Sequence, residues 1–300
     1  MDELNEQRII IRNKYILGII ITIAIAVIFT ILAPNITALP ILSVVIGTFI
    51  TIIATSKLKN QYRRDFKNKF VLKSLENKFT DLYYNPDKGI PYSIIDATQM
   101  MNMGDKYHSE DYISAKYKDI KFEQADVHIE EEHESTDSDG NTTTTYITIF
   151  KGRWMIFDFN KEFKADVQIS QKGFTNSRVK KFFGKKDELF KKVTMESENF
   201  NSKFNVYAQN EHDAFYIITP SLMERIERLA VRNKGKMLFW FVNNKLHIGI
   251  HDNKDSFEPG SVFKQINEEE SIKKISNEIE VITQFVDELN LENDLFKKEG

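Results

Sequence analysis

Six histidines are the first residues to weigh as metal ligands. His247 and His251 are four residues apart, and on a helix that spacing would place both imidazoles on one metal-binding face. The surrounding segment KLHIGIH alternates, which predicts a strand, where residues four apart are roughly 13 Å apart and cannot share one ion. His128 and His133 are five apart in a second predicted strand, so they point to opposite faces. The histidines are therefore expected to be structural or solvated, and no metal site is predicted.

Patterns that mark catalysis are missing from the sequence. There is no Gly-rich phosphate loop, no HExxH and no GxSxG, and the chain has no cysteine that could act as a nucleophile or hold zinc. The run Asp137 to Asn141 resembles the start of a calcium loop, but threonine stands at the sixth and twelfth positions, where glycine and glutamate are needed. That run predicts a turn. No catalytic or cofactor-binding residue is predicted.

Two clusters of basic side chains carry more information. Lys57 to Lys73 holds seven basic residues against Asp65, and Lys172 to Lys192 holds eight against two acidic residues. Both could contact an anionic lipid surface, through Arg63, Arg64, Lys67, Lys69, Lys180, Lys181, Lys185 and Lys186. For the second cluster a solvated face is the favoured interpretation, and contact with a membrane surface and a nucleic-acid patch are the alternatives. Nucleic acid is the least favoured because no nucleic-acid motif accompanies the lysines.

The element that would hold the first cluster near lipid is a membrane hairpin. From Tyr15 to Ser56 the chain contains no Asp, Glu, Lys, Arg or His. Residues 15–33 and 36–55 are each long enough to cross a hydrocarbon layer of about 30 Å as a helix. The break between them, residues 34–35, contains Pro34. A cleaved signal peptide and a buried core hairpin are the rival interpretations, and both are less favoured because two long apolar runs follow each other.

Basic residues flank the predicted hairpin on one side only. Arg8, Arg12 and Lys14 precede the first span, and the cluster from Lys57 follows the second, whereas the connection between the spans has no basic residue. The positive-inside rule then places both termini in the cytoplasm, with residues 1–14 as a short N-terminal segment. The predicted location is the plasma membrane.

Beyond the hairpin the sequence predicts an α+β domain with an antiparallel sheet and flanking helices. Residues 56–84 predict a basic juxtamembrane helix, and residues 85–300 a cytoplasmic domain that ends in an amphipathic helix near 271–290. A further short helix is expected at Ser93 to Met101. The C-terminal helix could pack on the rest of the chain or form a coiled-coil seam; packing is favoured because it has under three heptads.

Several segments of this domain alternate with period two. Strands are expected on both sides of the turn Asp137 to Asn141. The other predicted strands are RWMIFDF, FKADVQI, KFNVYA, AFYII, KMLFWFV and KLHIGI, with the last two joined at Asn243-Asn244 as a hairpin. Between AFYII and KMLFWFV, Thr219 is expected to cap a helix that begins at Pro220.

Three segments resemble a known family. They are FKGRWMIFDFNKEF (Phe150 to Phe163), the run from Ser197 to Ile226, and FEP (Phe257 to Pro259). Together they are similar to the bacterial family catalogued as domain of unknown function 3137. The resemblance implies two N-terminal membrane helices followed by a cytoplasmic domain. It implies no activity and no functional residue, and it suggests a LemA-type membrane protein as a partner.

The expected role is a membrane-anchored, non-catalytic binding or scaffolding module whose partners include the lipid bilayer. A membrane-tethered enzyme or ligand sensor is the main alternative, and its candidate residues would be Asp158, His247 and His251. A protein that binds anionic lipid surfaces through Lys180 to Lys192 is the third interpretation. No cofactor is predicted, and the sequence does not predict an oligomeric state.

Overall fold

The structure, a computed structural model, describes residues 2–174, 190–289 and 291. The chain divides into two compact units. One contains residues 1–74 and 257–276, and the other contains residues 75–256 and 277–300. They are called here the hairpin unit and the sheet unit.

Two long antiparallel helices dominate the hairpin unit. Helix α1 is Asp2–Leu32 and α2 is Ala38–Phe66. Helical backbone continues from α2 through a π-helix, Lys67–Leu72, into the short α3, Lys73–Glu76. The predicted spans 15–33 and 36–55 overlap α1, which ends at Leu32, and α2, which begins at Ala38. Both helices are long and apolar enough, by length and composition, to cross a membrane.

Small residues allow α1 and α2 to pack closely. A Cβ on Gly18 would overlap Thr51, and a Cβ on Gly47 would overlap Thr22. Each threonine hydroxyl donates to the carbonyl four residues earlier, Thr22 to Gly18 and Thr51 to Gly47, both at 2.8 Å. The two helices thus present the same Gly-x-x-x-Thr pattern to each other, the type of small-residue contact that brings membrane helices together.

The juxtamembrane helix is shorter than predicted. It ends at Glu76, where the Leu75 carbonyl accepts from Lys78 and Phe79, and residues Thr80–Asn85 form strand β1. The expectation of helix to residue 84 was therefore wrong. Tyr83 and Tyr84 have high strand propensity, and a partner strand supplies backbone hydrogen bonds that outweigh the local helical pattern.

The described strands of the sheet unit are all antiparallel, as predicted. After β1 come β2 (Lys106–Tyr117), β3 (Ile120–Thr136), β4 (Thr142–Gln171), β5 (Lys191–Val193), β6 (Phe204–Ala208) and β7 (Lys236–His251). Their order is β1-β2-β3-β4-β6-β5, with β7 paired to β4. The fold class is α+β. The turn between β3 and β4 is the predicted one, closed by a hydrogen bond from Asp137 N to the Asn141 carbonyl and by Gly140 at φ 84°.

Strands β4 and β7 pair along nearly the whole length of β7. Residues 238–241 of β7 pair with 170–167 of β4, and residues 245–251 pair with 158–152. The predicted hairpin at Asn243-Asn244 was therefore wrong, because β7 is one continuous strand with an irregularity at Asn243, where φ is 49°. RWMIFDF and FKADVQI are likewise parts of the single strand β4.

The helices of the sheet unit were predicted with mixed success. Helix α4 is Tyr92–Asp96, shorter than the predicted 93–101, and Pro91 rather than Ser93 stands at its N-cap position, without a side-chain cap. Helix α5 is Glu198–Lys203. Residues Glu211–Ile217 form helix α6, so the strand predicted for AFYII was wrong. The Asn210 side chain accepts from His212 N at its start, and this cap favours the helix.

Helix α7, Pro220–Arg232, is as predicted: the Thr219 hydroxyl accepts from Leu222 N, and Pro220 occupies the first turn. The C-terminal helix α8 is Glu268–Leu289. Its apolar positions are buried within the chain at Ile275, Ile279, Ile282, Val286 and Leu289. Packing, rather than a coiled-coil seam, accounts for that stripe.

The two faces of β3 have different surroundings. Ala125, Val127 and Ile129 face a core formed with Ile90, Ile95, Met101, Phe150 and Trp154. The alternating residues Phe122, Gln124 and Asp126 lie on the opposite face and are also buried. Polar side chains on a buried face require specific partners, which makes this face a candidate for function.

Candidate functional site

Glu258 holds two basic side chains in the hairpin unit. Its Oε1 atom accepts from Arg63 at 2.5 Å (Nη2) and 3.2 Å (Nε), and it lies 3.0 Å from Lys67 Nζ. Arg63 and Lys67 are four residues apart on the helical segment, so both project from one face. One carboxylate thereby interacts with two cations of the predicted lipid-contact set.

The basic residues of the predicted lipid-contact set differ in how far their side chains are exposed. The Lys67 side chain is only 3% exposed, whereas those of Arg63 and Glu258 are 27% and 26% exposed. Lys67 therefore lies in a buried ion pair and cannot reach lipid head groups, which corrects the prediction for this residue. Arg64 and Lys69 are exposed. Lys180, Lys181, Lys185 and Lys186 lie outside the described residues.

The π-helix begins at Lys67. A π-helix widens the turn by one residue per hydrogen-bonded ring, and such segments occur frequently at functional sites. Here the segment carries Lys67, Phe70 and Val71, all buried, and Lys69, which is exposed. The wider turn thus coincides with the point where a lysine turns inward.

Residues 257–267, here called the Glu258 loop, also contact α1. Arg8 donates from Nη1 to the Val262 carbonyl at 3.1 Å and is 5% exposed. Asn5 Oδ1 accepts from Ile266 N at 3.4 Å. The loop therefore bonds to the N-terminal part of α1 and, through Glu258, to the end of α2. Sequence segments about 190 residues apart or more meet in one small cluster.

A second polar cluster lies on the buried face of β3 in the sheet unit. Asp126 accepts hydrogen bonds from the backbone N–H and the hydroxyl of Ser256, the latter at 2.9 Å. Ser256 Oγ in turn accepts from Arg153 Nε at 2.7 Å, and Arg153 Nη1 donates to the Glu278 carbonyl of α8. Burial and the neighbouring Asp111 carboxylate raise the pKa of Asp126 to about 8, although Arg153 and Ser256 oppose the shift.

Asp111 occupies a bulge in β2 opposite this cluster. The β2–β3 register shifts between Glu110 and Ile113, and Asp111 has φ 59°. Its N–H donates to the Pro86 carbonyl, and its carboxylate accepts from the Tyr84 hydroxyl at 2.8 Å. Burial, first, and the Asp111 carboxylate, second, raise the Tyr84 pKa. Alongside burial, the Asp111 carboxylate thus raises the pKa of both Asp126 and Tyr84.

Gln124 adds an unusual feature to the same face. It is fully buried, and neither its amide nitrogen nor its amide oxygen has a hydrogen-bond partner among the described residues. A buried unpaired amide costs about 1–3 kcal/mol.

Asp158, His247 and His251 do not form one site. Trp154 Nε1 donates to His247 Nδ1 at 3.3 Å, and burial, reinforced by Lys245, lowers the His247 pKa to about 3. His251 Nδ1 accepts from Lys151 N at 3.0 Å, and Asp158 pairs with Lys245 at 3.5 Å. Each side chain is thus tied to its own structural partner. The neutral, buried His247 is the structural histidine that the sequence indicated.

The sequence analysis missed Asp111, Asp126, Arg153, Ser256 and Glu258. A signal existed for two of them: Asp126 stands between Ala125 and Val127, and Arg153 between Gly152 and Trp154, so each is a charged residue with uncharged neighbours in a strand. Charges at such positions are rare unless they are paired. Glu258 lies in the segment FEP, to which the resemblance assigned no role.

Comparisons with known proteins bear on the chain as follows. Residues 148–291 match the model of a family described as "Protein of unknown function (DUF3137)". No curated protein matches the sequence.

Among solved structures, one similar chain is the crystal structure of the mycobacterial trehalose monomycolate transport factor A, TtfA. The two are 9% identical, and the alignment covers 76% of this chain and 94% of that one, with a TM-score of 0.37. This score is too low for any structural or functional argument.

The family match contains all three segments that carried the resemblance in the sequence, Phe150 to Phe163, Ser197 to Ile226 and Phe257 to Pro259. Residues 148–291 of this chain are therefore similar to the family described as Protein of unknown function (DUF3137).

Proposed function

We propose that the chain is a plasma-membrane protein with two spans, whose sheet unit acts in the cytoplasm as a non-catalytic binding or scaffolding module. The observation that carries the anchoring is the exposure of α1 and α2. Only 6% of the most apolar window of each helix is buried. A core helix of a soluble protein would be mostly buried, and apolar side chains that face outward over two helices need an apolar solvent.

The topology can be tested because the chain has no cysteine. Asn35, exposed between α1 and α2, and Asn68, exposed in the π-helix, are each replaced by cysteine in the full chain. A membrane-impermeant maleimide should label N35C in intact cells and N68C only after permeabilisation. Labelling of N68C in intact cells would overturn the orientation. Release of the full chain from membranes without detergent would overturn the anchoring itself.

The non-catalytic role is supported by the candidate chemistry. His247, His251 and Asp158 are occupied by structural partners, and Asp126 is bonded to Ser256 in a buried position. These groups stabilise the fold as they stand. The main alternative remains a membrane-tethered enzyme or sensor that would use the buried carboxylates.

A binding module should have a partner in the native membrane. Crosslinking followed by affinity capture of the full chain is expected to recover a protein in stoichiometric amount, and a LemA-type membrane protein is the class that the family resemblance suggests. The chain with residues 75–256 deleted serves as the control, since it keeps the spans. Recovery of the same proteins with both chains, or of none, would contradict the scaffold role.

Anionic lipid is proposed as a second partner on the strength of exposed basic residues beside the spans. Lys57 and Lys59 are exposed directly after the second proposed span, where cytoplasmic head groups would lie. Lys180, Lys181, Lys185 and Lys186 are proposed to contribute from the second cluster. Their replacement by glutamate should weaken salt-sensitive binding to anionic vesicles, and unchanged binding would remove them from this proposal.

A further inference from the structure

Phe263 is a large apolar side chain left exposed at the tip of the Glu258 loop. It is 57% exposed, while its neighbour Val262 is 9% exposed. Its ring lies beside that of Tyr15 in α1, with the ring centroids 6.3 Å apart. Both residues belong to the hairpin unit. A residue near the end of the chain therefore stands next to the first residue of the charge-free stretch.

Helix packing fixes the level of Tyr15 relative to the bilayer. The contacts of Gly18 with Thr51 and of Thr22 with Gly47 set the antiparallel register of the two helices. In this register Tyr15 lies at the level of Ala54. The nearest charges on the two helices are Lys14 and Lys57, so the boundary between charged and apolar residues is at one level on both. Tyr15 occupies the position of an interfacial aromatic residue.

From Glu258 to Phe263 the loop runs along the two helices towards the level of Tyr15. Glu258 contacts Arg63 and Lys67, well beyond the boundary, whereas Phe263 reaches Tyr15. Beyond Phe263 the chain returns, since Ile266 N donates to Asn5. Phe263 is the point of the loop closest to the apolar part of the hairpin.

Local hydrogen bonds hold this tip in a tight turn. Gly260 has φ 82°, a left-handed conformation that glycine adopts without strain. Ser261 then accepts twice, at Oγ from Phe263 N (3.3 Å) and at its carbonyl from Lys264 N (3.1 Å). Arg8 fixes the Val262 carbonyl between them. The turn presents the phenyl ring outward on a braced backbone.

We propose that the Glu258 loop makes a third contact with the bilayer, in which the Phe263 ring enters the boundary between head groups and acyl chains. The proposal rests on the membrane anchoring proposed above. The phenyl ring extends the outward apolar surface of the hairpin, and the neighbouring Lys14 and Lys57 suit anionic head groups. The contact would tie the family segment to the membrane surface independently of the two spans.

Depth-dependent quenching tests the contact in the full chain. Gln265 is exposed beside the tip and is replaced by cysteine (Q265C), which leaves Phe263 in place and carries an environment-sensitive fluorophore. In liposomes, lipids brominated near the head group should quench this probe about twofold more than the same probe on N68C, which lies roughly 20 Å beyond Thr55 along the helix. The proposal further requires that quenching of the Q265C probe falls to the N68C level when Phe263→Ser is added.

A probe on a third variant, I20C, separates the two ideas. Ile20 is 57% exposed and lies inside the first span, five residues after Tyr15. If the brominated lipids quench the I20C probe but quench the Q265C probe no more than the N68C probe, the loop contact is wrong and the anchoring stands. If lipid fails to quench the I20C probe, the anchoring is wrong and the loop contact with it. Quenching of the Q265C probe that is unchanged by Phe263→Ser would also overturn the proposal, because the ring would not be its cause. Phe263→Leu should retain the quenching.

Discussion

At the scale of single residues, two carboxylates explain why certain basic and polar side chains are buried. Glu258 forms an ion pair with the buried Lys67. Asp126 accepts a hydrogen bond from Ser256, which in turn accepts one from Arg153. In both cases a hydrogen-bonded partner offsets the cost of removing a charged group from water. Neither carboxylate is close in sequence to the side chains with which it pairs, so no local sequence motif predicts the pairing.

Glu258→Gln tests the first of these carboxylates. The variant keeps the shape but removes the charge that Arg63 and Lys67 share, and the burial of Lys67 makes the loss larger than at the surface. We expect the free energy of unfolding to fall by about 1–3 kcal/mol in detergent-solubilised full chain.

Glu270→Gln is the matched control for that change. It breaks the surface ion pair between Lys264 and Glu270, whose side chains are 71% and 63% exposed. The free energy of unfolding should change by less than about 0.5 kcal/mol. Equal effects of the two variants would contradict a special role for Glu258.

Asp126 should make stability depend on pH. Its pKa is near 3.8 in the unfolded chain and about 8 in the folded one, so between these values the folded state binds more protons. The free energy of unfolding should therefore fall as pH rises from about 4 to about 8, by at most about 1.4 kcal/mol per pH unit. Asp126→Asn should remove this component in denaturant titrations at pH 5 and pH 8.

Asp137 is a control because its contribution to the free energy of unfolding changes with pH in the opposite direction. Hydrogen bonds from Asn141 lower its pKa, so its contribution to stability is present at neutral pH and is lost as pH falls through the lowered value. Asp137→Asn should leave the decline between pH 5 and pH 8 unchanged. A wild-type stability that is flat over that interval would contradict the buried, raised-pKa carboxylate.

At the scale of elements, the hairpin depends on two glycines. Gly18→Leu or Gly47→Leu would drive a side chain into the facing threonine, and the helices would have to separate. We expect a lower melting temperature in detergent for either variant. Ile21→Leu, at a position 50% exposed to the surroundings, is the control and should have little effect. Melting that is unchanged by Gly18→Leu would show that α1 and α2 do not pack in this register.

Helix α7 offers a test in the sheet unit. Thr219→Ala removes the side-chain acceptor for Leu222 N and should lower the free energy of unfolding by about 0.5–2 kcal/mol. Thr219→Ser keeps the hydroxyl and should recover most of the loss. If both substitutions have the same effect, the cap does not contribute.

Elements with a local signal were predictable, and those decided by distant partners were not. Thr219 with Pro220 marked a helix start, and the run Asp137 to Asn141 marked a hairpin, because caps and turns are satisfied by neighbouring backbone. Asn243-Asn244 has the composition of a turn, yet β4 offers a continuous partner to both sides of it. The same holds for the site. Arg63 and Lys67 were visible as a charge cluster, but Glu258, which buries one of them, became apparent only in the fold.

At the scale of the whole molecule, the basic residues beside the spans should couple stability to lipid charge. Each exposed lysine near an anionic surface contributes about 1 kcal/mol at low salt. The melting temperature of the full chain in anionic nanodiscs should therefore exceed that in zwitterionic ones. The combined replacement of Lys57 and Lys59 by glutamine should reduce this difference, and raising the salt concentration should reduce it in the unmodified protein. Insensitivity to lipid charge would contradict the lipid contact.

The Glu258 loop also affects the order in which the hairpin unit can fold during synthesis. Arg63 and Lys67 leave the ribosome early, and their shared partner Glu258 follows roughly 190 residues later, about 10–40 s at a synthesis rate of about 5–20 residues per second. During that interval the two proposed spans can insert, but the contacts of Arg63 and Lys67 with Glu258 cannot form. Folding of this cluster is therefore delayed until residues 257–267 have been made, although Arg63 and Lys67 precede them by roughly 190 residues.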